Sequence, residues 1–369
     1  MPAYKHSQSA QRFGLAGRWF AVIMKYITAR SSTSKDARAG LSFLGKSAYG
    51  KPHLTFQQQI AHLRSKGMII EDESWALSRL AQVGYYRLSA YWHPFKERGA
   101  AAGPEGETLR PGTKLEYAYS LYEYDRGLRL LVLEGVEIIE VSLRVDVAYL
   151  LGQRDRFAYM RPELLGGSFS KPDVNGETDH DKWLKSYQDK LYRPNEDFTK
   201  HLIGKYGEPL PIWASVEVWE FNQLCFFLGG LRHADKQAIA GKYGLSCPKM
   251  LLSWVKAIKG IRNHAAHHGR IWNRNMTAQP MLPAFDVFPG LDFIAEDSTS
   301  IRQARACCPL LLMDHMIQRI DPSSAWPVRL RAHIRKFPSE TRMTIESMGF
   351  PASWPDAGSI GSISPAPTR

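Results

Sequence analysis

The chain has 369 residues, 44% of them hydrophobic and 23% charged, a composition that can form a packed core and excludes a fully disordered chain. No stretch approaches the roughly 18 consecutive apolar residues that a membrane-spanning helix needs, so we expect no membrane segment. The formal net charge is +12, which favours polyanionic partners such as nucleic acid, but this charge is unevenly distributed along the chain.

The cysteines indicate a reducing compartment. The chain has four of them, Cys225, Cys247, Cys307 and Cys308, and they show no paired spacing. The adjacent pair at 307 and 308 would be poor joint ligands for a structural zinc ion, and so few thiols do not suggest a disulfide scaffold. The start of the chain has no small-residue cleavage site after an apolar stretch, so we expect a cytoplasmic protein.

Most of the positive charge lies at the start of the chain. Residues 1–51 contain nine Lys or Arg and one acidic residue, Asp36, so they carry +8 and leave about +4 for the remaining residues. A basic arm attracts nucleic acid without sequence preference, whereas an unstructured leader needs no ligand. We expect residues 1–50 to be a flexible basic leader, and the net charge alone therefore says little about nucleic-acid binding.

Helical spacing begins directly after this leader. Thr55 is a favourable N-cap for a first helix, which ends before a turn at Gly67. A second helical segment and a block rich in aromatic residues at 85–92 follow. The composition of residues 97–113 predicts a loop.

The longest predicted helix spans residues 114–152. It contains no proline, and its apolar residues recur at spacings of three and four. Such a helix would be roughly 55 Å long. Gly127 and Gly135 within it would either bend the helix or admit a close neighbour.

Four further helices are predicted downstream. They are a short helix at 181–190 within the loop-rich region 161–195, a helix at about 212–231, a strong helix opened by Ser246 as N-cap with Pro248 in its first turn, and a last helix near 301–319. The strong helix has an apolar seam, formed by Met250, Trp254, Ile258, Ile261 and Ala265. We find no internal repeat and no alternating strand pattern. The sequence predicts an all-α helical bundle at residues 51–355 and a flexible tail at residues 356–369.

The segment 262–274 has the densest candidate chemistry. It combines three histidines and three arginines: His264, His267, His268, Arg262, Arg270 and Arg274. Guanidinium groups bind phosphate oxygens, and imidazole transfers protons near neutral pH. RNA carries its own nucleophile, the 2′-hydroxyl, so a base and a cation that stabilises the phosphorane suffice without a metal ion.

The geometry of Arg262 and His267, the candidate cation and base, leaves three arrangements open. On an ideal helix Arg262 and His267 lie about 140° apart and do not share one face. The helix would fray near Gly269, or the long arginine side chain would reach around it, or a second copy of the chain would complete the site.

The cluster could also bind a metal ion or stabilise a helix end. His264 and His268 are four positions apart and could share a helical face as two zinc ligands, but Ala265 stands where a zinc-protease motif has glutamate. No third ligand follows, so no metal is expected. Alternatively, the cations offset the helix macrodipole at a helix end, which would explain Arg270 and one histidine.

The run from Arg262 to His268, followed by Arg270 and Trp272-Asn273-Arg274, resembles the signature of Abi-like abortive-infection proteins. That signature is a form of the Arg-(four to six residues)-His motif of the HEPN superfamily. Further blocks resemble the family in the same order: Lys51-Pro52-His53-Leu54-Thr55-Phe56 leading to 85–92, Asp125-Arg126 with 137–144, Pro211-Ile212-Trp213, and Met348-Gly349-Phe350-Pro351. The resemblance spans about 51–355.

The resemblance implies a HEPN-like helical bundle, a homodimer with facing motif helices, and an endoribonuclease that leaves a cyclic phosphate and a 5′-hydroxyl. It implies that Arg262 stabilises the phosphate, that His267 is the base or acid, and that Asn263 orients them. Some members are restrained by a small noncoding RNA, and we also expect a protein antitoxin as an alternative partner. No cofactor is implied.

Several other side chains have two possible roles. Glu140 and Arg144 form an intrahelical ion pair by default, or support the catalytic pair. Arg87 contacts phosphate or satisfies a carbonyl, and Arg270 and Arg274 are candidate RNA contacts. The aromatic residues at 85–92 could stack on bases, but helical spacing favours core packing.

The leading hypothesis is therefore a metal-independent endoribonuclease toxin of phage defence. One rival is a non-catalytic RNA-binding module, in which the same cations only hold phosphates. The other is a helical interaction protein, which would neither cut RNA nor bind it in a salt-sensitive way.

Overall fold

The computed structural model describes residues 52–99, 107–192, 197–283, 291–297 and 299–354. The predicted leader, residues 1–50, and the predicted tail, residues 356–369, lie outside the described residues. The chain divides into two units, residues 1–53 and residues 54–369, and the fold below is that of the second unit.

The described residues form α-helices and isolated β-bridges but no β-strand, which confirms the predicted all-α class. In chain order the α-helices are α1 (Phe56–Ser65), α2 (Glu73–Val83), α3 (Tyr85–Trp92), α4 (Leu115–Gly152), α5 (Asp179–Leu191), α6 (Asp197–Tyr206), α7 (Ile212–Ser215), α8 (Phe221–Gly230), α9 (His233–Lys242), α10 (Pro248–Ala266), α11 (Asp292–Ala295), α12 (Cys307–Ile320) and α13 (Trp326–Arg335).

The first helix begins where its cap predicts. The Thr55 hydroxyl accepts a hydrogen bond from the backbone N–H of Gln58 at 3.2 Å, and the Gln58 side-chain oxygen accepts one from the Thr55 N–H at 2.8 Å. This reciprocal capping box satisfies two donors that no helical carbonyl can reach. The predicted N-cap at Thr55 is confirmed.

Helix α4 is the centre of the fold. It is 38 residues long, about 57 Å at the usual rise per residue, and it packs against α3, α7, α10, α12 and α13. Its apolar positions at spacings of three and four are buried, including Leu121, Leu128, Val132 and Ile139. The predicted helix at 114–152 is confirmed to within one residue.

Neighbouring helices approach α4 closely at its glycines. A Cβ atom on Gly135 would lie 2.6 Å from the Trp326 ring of α13 and 2.7 Å from the Met313 methyl of α12. A Cβ atom on Gly127 would lie 2.6 Å from the His333 ring. Of the two roles predicted for these glycines, admitting a close neighbour is thus the one observed.

Three predicted helix boundaries were wrong. The helix predicted at 212–231 is two helices, α7 and α8, because Trp219 is extended and Glu220 with Gln223 forms a new capping box. The N-cap of α10 is Cys247 rather than Ser246, and it makes no side-chain capping bond. The helix predicted near 301–319 begins at Cys307, after a series of turns.

Helices α6, α9 and α13 were not predicted. They are ten residues each, and α9 and α13 lack a side-chain N-cap such as Thr55, which identified the equally short α1. Within the part of the chain that the structure describes, no helix combines the length and apolar character needed to cross a bilayer.

Candidate functional site

The buried seam of α10 fixes which way the motif side chains face. Met250, Trp254, Ile258, Ile261 and Ala265 are all buried, as their spacing predicted. They pack the helix against α4, α8 and α12. Because Ile261 and Ala265 point into the core, the positions between them are turned outward: Arg262 is half-buried and Asn263 is exposed.

Helix α10 ends within the motif through a left-handed turn. The N–H of Gly269 donates to the His264 carbonyl at 2.7 Å, and the N–H of His268 donates to the Ala265 carbonyl at 3.0 Å. This pair of bonds is the Schellman motif, which needs a left-handed residue and usually uses glycine. Here His268 occupies that position, with φ of 55°. The helix is thus closed by a defined turn rather than by fraying.

His267 is the last residue before this turn. Its backbone N–H still bonds to the Asn263 carbonyl at 3.1 Å, so its Cα atom remains on the helical path about 140° from that of Arg262. Its side chain is exposed, and among the described residues its imidazole has no hydrogen-bond partner. A ligand can therefore reach the imidazole.

Arg262 is held only weakly. Its Nη1 atom lies 3.5 Å from the Asn263 side-chain oxygen, at the limit of a hydrogen bond. The described part of the chain gives this guanidinium no ion pair within 4.0 Å. Neither member of the predicted pair is thus committed to a structural partner, and both reach solvent.

Glu140 links α4 to the motif. Its carboxylate accepts from Arg144 Nη2 at 2.6 Å, and the same nitrogen donates to the Trp219 carbonyl at 2.7 Å. Burial raises the pKa of Glu140, while the positive charges of Arg144 and Arg262 oppose that rise. The predicted intrahelical pair is present, and Glu140 also lies close enough to Arg262 to attract it.

Asp125 anchors the segment after the motif, and sequence reasoning missed this role. Its fully buried carboxylate accepts from the backbone N–H of Trp272 at 2.7 Å and of Ile271 at 3.1 Å. Tyr91 and Arg129 also donate to it, at 2.7 and 2.6 Å. Burial raises the pKa of Asp125, and these four donors stabilise its charged form. Asp125 therefore fixes the position of the chain that follows His268.

The predicted RNA-contact arginines have different surroundings. Arg87 donates to the His268 carbonyl at 2.7 Å, which ties α3 to the turn. Arg270 donates to the Ala90 and Asn273 carbonyls and lies over the Trp272 ring. Arg274 is exposed. Arg87 therefore satisfies a carbonyl, one of its two predicted roles, and Arg270 braces the segment.

The aromatic block at 85–92 is largely core, as its spacing favoured. Tyr91 and Trp92 are buried, whereas Tyr85 is half-buried and Tyr86 is 72% exposed. The Tyr91 ring stacks near Trp272 at 6.4 Å between centroids, with the planes 12° apart. The block thus helps to hold the post-motif segment against α3.

The histidines do not form the pair considered as zinc ligands. His268 lies past the helix end with a left-handed backbone, so it does not share a helical face with His264. Burial and the charges of Arg274 and His267 lower the pKa of His264. In the described ranges, no three His, Cys, Asp or Glu side chains come together as metal ligands would.

A model of the Abi-like protein family matches residues 78–273, more than half of the chain. The matched range runs from α2 through the whole of α10 to the segment anchored by Asp125. It does not reach the blocks at 51–56 and 348–351. No curated protein and no solved structure matches the chain significantly.

Proposed function

The chain belongs to the Abi-like protein family, and from this membership we propose that it acts in abortive infection as a metal-independent endoribonuclease toxin of HEPN type. The observation that carries the proposal is made at the end of α10. There the exposed imidazole of His267 and the weakly held guanidinium of Arg262 belong to one motif, which ends in the Schellman turn. Proton transfer and phosphate binding need these two groups in an accessible state.

In the proposed reaction the RNA cleaves its own backbone. His267 takes the proton of the 2′-hydroxyl as the bond between O2′ and phosphorus forms. Arg262 binds the non-bridging oxygens and stabilises the charge of the phosphorane. The bond between phosphorus and O5′ then breaks, and the 5′-oxygen receives a proton from an acid. The products are a 2′,3′-cyclic phosphate and a 5′-hydroxyl.

The neighbouring residues support this pair. Asn263 orients the Arg262 guanidinium, and Glu140, itself paired with Arg144, attracts that guanidinium by its charge. His268 closes the helix so that His267 projects from its end. His264 is a half-buried histidine whose lowered pKa favours the neutral imidazole.

A homodimer completes the proposed site, since the copies supply a base and an acid from the same residue, His267. Helix α4 carries a stripe of three exposed apolar side chains at spacings of four, Val141, Val145 and Tyr149, each between 49% and 69% exposed. Exposed apolar patches mark association sites. Val141 directly follows Glu140, so a second copy bound along this stripe approaches the motif.

The toxin acts in the cytoplasm, where its RNA substrates are. A small noncoding RNA or a protein antitoxin restrains it between infections, because an unrestrained ribonuclease would kill its host. The motif end of α10 is the surface that such a partner would cover.

The test is the chemistry of the product ends. Purified protein is incubated in excess chelator with end-labelled RNA and with the same RNA carrying 2′-deoxyribose. We expect cleavage of the all-ribose strand to 2′,3′-cyclic phosphate ends and no cleavage at deoxyribose positions. RNA that stays intact but binds with strong salt dependence would instead support a non-catalytic RNA-binding module. Cleavage at deoxyribose positions would contradict the proposed mechanism.

A further inference from the structure

A basic cavity lies next to the motif at the end of α3. It has a volume of about 230 Å³, and its lining includes His93, Lys96, Glu97, Arg98, Arg270 and Asn273. Clefts that enclose a whole small molecule measure roughly 300 to 1,000 Å³. The cavity therefore suits one group of a larger ligand rather than an enclosed cofactor.

The charges around the cavity favour an anion. Lys96, Arg98 and Arg270 are cationic, and Glu97 is the one acidic residue of the lining among the described residues. Burial lowers the pKa of His93, and the positive charges of Lys96, Arg270 and Arg98 lower it further. The site therefore has a positive potential.

The cavity is fixed relative to His267. Arg270 follows His267 by three residues, so their Cα atoms are at most about 11 Å apart. Between these two residues, the His268 carbonyl accepts a hydrogen bond from Arg87. Directly after Arg270, the backbone N–H groups of Ile271 and Trp272 donate to Asp125. Asn273, which also lines the cavity, accepts a hydrogen bond from Arg305 Nη1 at 2.9 Å through its side-chain oxygen. The cavity therefore does not move independently of the motif.

We propose that this cavity binds a phosphodiester group of the RNA strand beside the one that is cleaved, with Lys96 and Arg98 as its RNA-binding residues. The inference rests on the proposed function for the identity of the strand. An RNA strand whose scissile phosphate binds Arg262 and His267 would pass the adjacent cavity. The cavity is positive and has room for one phosphate and its sugar, so binding there would orient the strand.

The test compares two variants of equal charge change. Lys96→Glu/Arg98→Glu reverses the cavity, and Lys171→Glu/Lys200→Glu reverses two exposed lysines outside it. Both are made in a His267→Ala background so that RNA stays intact, and affinity for a fluorescent single-stranded RNA is measured by anisotropy at several salt concentrations. Circular dichroism checks the fold, and Arg98→Ala serves as a milder variant if the double variant is unstable.

We expect the cavity variant to bind RNA about tenfold more weakly than the control, as when a charge-assisted hydrogen bond is removed. The slope of log affinity against log salt should fall by about 0.7 for each phosphate that the variant no longer binds. Equal affinities for the two variants would overturn the inference, whether or not the wild-type chain cuts RNA.

Two further outcomes separate this inference from the proposed function. If the wild-type chain never cuts RNA but the cavity variant still loses affinity, the cavity is an RNA site and the proposed cleavage is wrong. If the cavity variant loses affinity for AMP while its RNA affinity is unchanged, the cavity binds a free nucleotide and the inference is wrong.

Discussion

Two residues outside the arginine–histidine pair hold the end of α10 in place. Asp125 binds the backbone after the motif, and Arg87 binds the carbonyl of the left-handed His268. The motif itself could be predicted because its cations are neighbours in the chain. Asp125 could not, since its partners are backbone N–H groups 146 residues away and every residue other than proline has one.

Asp125→Asn should destabilise the fold. The change leaves the Arg129 guanidinium buried without its counter-charge, and breaking such a pair costs about 3 kcal/mol or more. Chemical denaturation measures the free energy of unfolding. The exposed Asp179→Asn, which removes a 3.4 Å ion pair with Lys182 and one first-turn charge of α5, should change it by less than about 1 kcal/mol.

Asp125→Asn should also lower kcat for RNA cleavage at temperatures where the variant is fully folded, because the chain after His267 is less well positioned. The KM should change little, since the phosphate-binding cations remain. A variant as stable and as active as the wild type would show that Asp125 does not position the motif.

Among the helices, α4 and α10 were predictable, and most of the others that pack on α4 were not. Its proline-free run of apolar residues at spacings of three and four extends over ten turns, so periodicity alone identifies it. The helices that pack on it are shorter than it is, and which of them meets which face depends on contacts far apart in sequence. Gly135 shows the difference: the sequence indicates a possible close approach, and only the fold identifies Trp326 as the neighbour.

Gly135→Ala should destabilise the protein by about 1 to 3 kcal/mol, because a Cβ atom there overlaps the Trp326 ring. That ring cannot easily shift, since its Nε1 donates to the Leu131 carbonyl at 2.8 Å. Gly241→Ala in α9, where the space around a Cβ is open, should instead stabilise by about 0.5 to 1 kcal/mol. Thermal and chemical denaturation of both variants test this, and equal effects of the same sign would contradict the packing.

His315 should make the contact between α9 and α12 sensitive to acid. Its buried Nε2 lies 2.9 Å from the Tyr243 carbonyl, and burial lowers the pKa of His315 to about 4. Because the unfolded histidine titrates near 6.5, the unfolded chain binds the extra proton first as pH falls. Stability is therefore fully present above pH 6.5, and about 3 kcal/mol of it is lost between pH 6.5 and 4.

The matched measurement uses His315→Gln, which cannot take up a proton. Its free energy of unfolding should fall less steeply between pH 6.5 and 4 than that of the wild type. Parallel curves for the two proteins would show that His315 does not titrate on unfolding.

The proposed homodimer rests on the apolar stripe of α4, whose side chains are exposed in the single chain. The sequence predicted α4 but not which of its faces stays exposed, because Val141 and Val145 look like core residues until the packing of α10 and α12 is known. The all-α class was predictable for a simpler reason, since no segment alternates apolar and polar residues as a strand does.

Val141→Glu/Val145→Glu should convert a dimer to a monomer, since two charges in an apolar interface are left without partners. Light scattering after size exclusion should give twice 41.8 kDa for the wild type and 41.8 kDa for the variant. Val328→Glu, at a residue 66% exposed on α13, should remain dimeric. A monomeric wild type, or a variant that stays dimeric, would exclude the stripe as the interface.

Single-turnover cleavage of labelled RNA in excess chelator shows whether Arg262 and His267 cut RNA together. The comparison includes the wild type, Arg262→Ala, His267→Ala, and His233→Ala as an exposed histidine outside the motif. We predict that the wild type and His233→Ala cut at similar rates, and that both motif variants are slower by at least about 10²-fold with unchanged circular dichroism. Cleavage by either motif variant at the wild-type rate, or a wild type that cuts only with added divalent metal, would contradict the account.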